Sequence, residues 1–114
     1  MRYLLLINND KSAAPPTAAE MQTMMQGHAR LGEGLRAAGK MVVGDRLRPD
    51  SDGVRVRLKA GQPQVTDGPF TETKEALSGY YLIECDTKDE AVEWAKKIPL
   101  REGSFVEVRA IWPV

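Results

Sequence analysis

At 114 residues the chain has room for one domain with a real core, spanning 1–114, and none for a second. Sixteen Lys and Arg balance sixteen Asp and Glu, so charge gives no case for nucleic acid or a membrane surface as partner. A lone cysteine, Cys85, excludes an internal disulfide, and the early apolar run Tyr3 to Ile7 is too short for a bilayer span or a signal peptide; together these predict a cytoplasmic protein.

Arg2 to Asn8 reads as a buried strand, with continuous Leu4-Leu5-Leu6-Ile7 closed by Asn8-Asn9-Asp10. Thr17-Ala18-Ala19-Glu20 has the form of a capping box and opens a helix. Met21, Met24, His28, Leu31 and Leu35 then follow at helical spacing as one apolar stripe, and Gly39 ends it. Met41-Val42-Val43 is a second short strand, followed by a polar loop through Arg46, Pro49, Asp50 and Gly53.

Val54, Val56 and Leu58 alternate with Arg55, Arg57 and Lys59, as in a half-buried strand with one wet face. These basic residues, with Arg46 and Arg48, read as a solvated face rather than a phosphate site. Ala60-Gly61-Gln62 turns the chain into a hairpin that delivers Asp67. Lys74 to Ser78 reads as a helical turn and Tyr80–Cys85 as a strand. A second capping box at Thr87–Glu90 opens a helix that buries Ala91, Trp94, Ala95 and Ile98 and stops at Pro99. Ser104 to Trp112 is the last strand. The order predicts an α+β fold: a ferredoxin-like βαββαβ sandwich with an added β-hairpin. Helices cover one sheet face, so the other predicts a homodimer with the open faces packed together.

Two features carry chemistry. Asp67-Gly68-Pro69-Phe70, continued by Thr71-Glu72-Thr73-Lys74-Glu75, stops a strand, because Pro69 has no N–H and restricts Gly68. His28 is the sole histidine and stands in the apolar seam of the first helix, where Leu or Met belongs. A lone seam histidine is as a rule a satisfied core residue. Left unpaired it costs about 1–3 kcal/mol, so it calls for a partner, and an Asp at a strand end is the natural one. Metal-ligand spacing and a glycine-rich phosphate loop are both missing, so no metal and no cofactor are expected.

The run from Val65 to Glu75 resembles the signature of the DGPF group of the YCII-related proteins. The opening Met1–Ile7, Gly44-Asp45-Arg46-Leu47-Arg48-Pro49, Leu77–Ile83 and Gly103–Arg109 fall in the matching order. The resemblance implies a dimeric α/β-barrel type of ferredoxin-like domain with a His–Asp pair at a pocket; the matching positions are His28 and Asp67. It also implies an uncharacterised family, one branch of whose wider fold includes a dehydrochlorinating lyase, and whose members are often linked to extracytoplasmic-function sigma factors.

On this reading the chain is a small-molecule lyase or isomerase, with His28 as general base and Asp67 orienting it. Arg46 holds an acidic substrate; Gly68, Pro69, Phe70 and Thr71 line the site, with backbone N–H groups of Phe70 and Thr71 steadying negative charge. Only one of Tyr80 and Tyr81 can face the site, and Tyr81 is taken as the one that does. The alternative is a non-catalytic dimer that senses a ligand or docks a sigma factor, favoured by an exposed Phe70; a buried Phe70 favours the enzyme.

Overall fold

The computed structural model describes residues 1–113. Its elements are β1 (Arg2–Asp10), α1 (Ala18–Ala37), β2 (Met41–Arg46), β3 (Val54–Lys59), β4 (Gln62–Asp67), β5 (Glu75–Glu84), α2 (Lys88–Ala95) and β6 (Phe105–Ala110), with a short 3₁₀ turn at Asp50–Asp52. The apolar run of β1 makes it a central strand, paired antiparallel with β5 on one side and β6 on the other. β2 pairs antiparallel with the outer edge of β5, giving the order β2-β5-β1-β6. With both helices on one face this is a ferredoxin-like α+β arrangement; β3 and β4 form a separate two-stranded sheet.

Alternation along β1 and β5 builds the core. Tyr3, Leu5 and Ile7 face the helices beside Tyr81 and Ile83, and α1 answers with Leu31 and Leu35, α2 with Ala91 and Ala95. Cys85 is buried here, and burial pushes its thiol pKa up, so it is an inert small hydrophobe. Thr17 caps α1 as the sequence predicts: its side chain accepts from the Glu20 N–H at 3.1 Å, and the Glu20 carboxylate accepts from the Thr17 N–H at 3.0 Å. Thr17→Ala is expected to lower stability by about 1 kcal/mol, read by urea unfolding. The second box is only half closed. Thr87 accepts from the Glu90 N–H, whereas the Glu90 carboxylate turns to the Asp86 N–H and to Lys40.

Three boundaries differ from the sequence reading. Gly44, Asp45 and Arg46 are not loop but the second half of β2, opposite Tyr81, Tyr80 and Gly79. Their polar composition is that of an edge strand, which one neighbour is enough to fix. Residues 75–78 are not a helical turn; they extend β5 beside Asn8–Asp10, beyond a bulge after Ile7. Long β1 supplies a ladder that outweighs local propensity. The last strand stops at Ala110, leaving Trp112 89% exposed.

The hairpin reverses expectation. Ala60 and Gly61, both at positive φ (52° and 78°), make its two-residue turn. The face carrying Arg55 and Arg57 folds back toward the Asp67–Glu72 segment, where both guanidiniums reach Glu72. Val54, Val56, Leu58 and Val65 are left exposed, Leu58 at 77%. Among the described residues no helix is long and apolar enough to cross a membrane.

Candidate functional site

His28 reaches the site because α1 lies close to the segment after α2. A Cβ on Gly27 would stand 2.6 Å from Pro99 Cγ, so the glycine is what lets α1 come this close to that segment. The His28 Nδ1 then lies 2.6 Å from the Tyr81 hydroxyl, with the two rings inclined by only 20°. Gly44 sits beside Tyr81 on β2, where a Cβ would meet the ring at 2.7 Å.

The pair lies in a cleft of about 310 Å³ between α1 and the β2–β5 edge. Met21, Met24, Met25, Ile7 and Pro99 form its apolar walls; Asn9, Arg46 and Ser78 supply polar groups. Burial, and after it the positive charge of Arg46, holds the His28 pKa below its ordinary value. Burial pushes the Tyr81 phenol pKa up. At neutral pH both are therefore uncharged. The phenol can donate or accept, so either imidazole tautomer is compatible with the bond. When Nδ1–H donates to the Tyr81 oxygen, Nε2 carries the lone pair.

Of the residues singled out by sequence, His28, Arg46 and Tyr81 come together at this cleft; Asp67, Gly68, Pro69, Phe70 and Thr71 do not line it. Asp67 ends β4 opposite Val54, and within one chain the partner of His28 is Tyr81. Tyr80 also borders the cleft, but its hydroxyl donates to Asp45 Oδ2 at 2.9 Å. The 67–70 turn has its own fastening. Phe70 is 7% exposed beneath the Arg55 guanidinium, which lies 3.8 Å from the ring centroid. Lys11 pairs with Asp50 at 2.7 Å and donates to the Phe70 carbonyl. The Phe70 N–H is directed at Asp50 Oδ2, 3.5 Å away, and so is engaged away from the cleft. Lys11 holds the Asp50 carboxyl below the usual range.

The sequence matches the profile of the YCII-related domain over residues 1–114. It is also similar to Uncharacterized protein R00369 of Rhizobium meliloti (strain 1021), 36% identical over 99 residues, covering 86% of this chain and 80% of the relative.

The chain belongs to the YCII-related family. In this YCII-related chain the Asp67–Phe70 turn serves to fasten β4 to Lys11 and the 50–53 turn, while the cleft is built from α1, β2 and β5. Sequence reasoning missed the methionine wall, Asn9 and the bond between His28 and Tyr81. Alternation placed Tyr81 on a face, but only the pairing of β5 with β1 and β2 shows which helix crosses it. Among the described residues no group of three or more His, Cys, Asp or Glu could hold a metal ion.

Proposed function

We propose that this protein is a small-molecule enzyme of lyase or isomerase type in which His28 is the general base. The observation that carries this reading is the short bond from a neutral, half-buried imidazole to Tyr81 inside a cleft that also holds a cation. With Nδ1–H donating to Tyr81, Nε2 takes a proton from a carbon next to a carbonyl, and the electron pair moves to the carbonyl oxygen. Arg46 offsets the resulting negative charge. The enolate then either regains a proton at another carbon, an isomerisation, or expels a group from the neighbouring carbon, an elimination. The buried Phe70 supports this reading over a docking turn, since the 67–70 segment offers no exposed aromatic anchor.

Solvent-deuterium exchange at the carbon next to the carbonyl of 2-oxo acids and β-substituted carboxylates tests it. The expected result is exchange above buffer for a bound compound, lost in His28→Asn. If compounds that saturate the cleft show no exchange, the protein is the non-catalytic ligand-binding alternative.

The functional unit proposed is a homodimer. Leu4, Leu6 and Leu82 lie half-buried on the sheet face without helices, and the hairpin turns four apolar side chains to solvent. The radius of gyration, 15.9 Å, exceeds the roughly 13 Å of a compact chain near this length. A two-stranded hairpin is marginal in water alone, so a second copy is the natural cover. Sedimentation equilibrium at micromolar concentration should give twice the chain mass; a monomer there rejects the dimer.

A further inference from the structure

We infer that the cleft selects a monocarboxylate with a flexible apolar tail, its carboxylate on Arg46 and Asn9 and its tail along the methionine wall. This names the substrate class of the site just proposed for base chemistry, and so rests on that reading for its biological meaning.

The head-group argument starts from strand alternation. In β2, Gly44 faces Tyr81 on the helix side, Asp45 turns away to the Tyr80 hydroxyl, and Arg46 returns to the helix side opposite Gly79. Asp45 is the only carboxylate among the described residues that line the cleft, and it is engaged with Tyr80. Among the described residues Arg46 therefore makes no ion pair. Its neighbours along the chain differ: Arg48 pairs with Asp52, and Arg55 and Arg57 share Glu72. The Arg46 guanidinium lies 4.0 Å from Met21 Sδ. The Asn9 side chain makes no hydrogen bond among the described residues and lines the same cleft. A guanidinium and a carboxamide together fit a carboxylate, which accepts from both.

The tail argument rests on Met21, Met24 and Met25, which line the cleft from the first turns of α1, with Ile7 and Pro99 completing the wall. Methionine is unbranched and adapts to varied apolar shapes, so the wall suits a flexible chain better than one rigid ring. At about 310 Å³ the cleft stands at the small end of ligand sites, which run from roughly 300 to 1,000 Å³. A single anionic head also matches Arg46, the one Lys or Arg among the described residues that line the cleft: a dicarboxylate would bring its second charge against methionine.

The test is binding of acetate, butyrate, hexanoate and hexanamide, followed through the His28 ring-proton signal, which needs no assignment because the chain has one histidine. From acetate to hexanoate, affinity is expected to rise about three- to four-fold per methylene. Hexanamide should bind at least ten-fold more weakly than hexanoate, and Arg46→Gln should erase that difference while leaving the fold intact. Equal affinity for hexanoate and hexanamide, or no gain with chain length, overturns the inference. The two readings fail separately. Loss of the chain-length series leaves the coupling of His28 to Tyr81 untouched, whereas tight hexanoate binding without such coupling removes the base and keeps the ligand class.

Discussion

Gly68→Ala is expected to lower stability by about 3 kcal/mol, because the added methyl meets backbone that cannot rotate away. Its Cβ would lie 2.0 Å from the Asp50 carbonyl oxygen and 3.3 Å from that of Gly53. The 50–53 turn must move, and with it go the Gly68 N–H bond to the Gly53 oxygen at 2.9 Å and the Lys11–Asp50 hold on Phe70. Gly61→Ala is the control. Nothing lies within 4 Å of its Cβ, so only the positive φ of 78° counts, at about 1 kcal/mol. Urea unfolding ranks the two, and hydrogen exchange locates the loss. Equal costs would mean that the close approach at Gly68 is not what fastens the turn. The His28 signal should be unchanged in both variants, since neither glycine borders the cleft.

Gly44→Ala acts on the site instead. The new methyl would stand 2.7 Å from Tyr81 Cδ1, 3.0 Å from Cε1 and 3.3 Å from the Tyr80 carbonyl oxygen. The ring must shift, and a bond of 2.6 Å to His28 does not survive a displacement of that size. The expected cost is about 2 kcal/mol by overpacking, with the His28 tautomer signal moving as it does in Tyr81→Phe. Any exchange activity should fall at least ten-fold. Wild-type stability together with an unshifted His28 signal would show that Tyr81 is not held by this glycine.

The sequence legibly carried what local chemistry decides. Thr17 and Glu20 announce the start of α1, the spacing from Met24 to Leu35 announces its buried face, and Leu4 to Ile7 announces a buried strand. Together these reach the ferredoxin-like order. What stayed hidden depends on pairing across the chain. Gly44–Arg46 are polar enough to read as loop and become strand only because β5 lies beside them. The valine face of β3 reads as inward, yet the arginine face folds back, since Arg55 finds both Glu72 and the Phe70 ring. The need of His28 for a partner was legible from its apolar seam. The identity of that partner was not, because Tyr81 is 53 residues away and only the folded sheet brings it under α1.

The most direct test of the neutral His28–Tyr81 pair is an NMR titration of the His28 imidazole in wild type, Tyr81→Phe and Asp67→Asn. Burial and Arg46 favour the neutral ring in the folded chain, so the wild type should titrate below the ordinary value of 6.5. The sign for stability follows. The contribution of the neutral ring is fully present above the unfolded value and is lost as pH falls through the folded one, since the unfolded chain binds the proton first. The ring-nitrogen shifts should change in Tyr81→Phe and stay unchanged in Asp67→Asn. A His28 that titrates at 6.5 in all three proteins, or responds to Asp67→Asn and not to Tyr81→Phe, would contradict the pair.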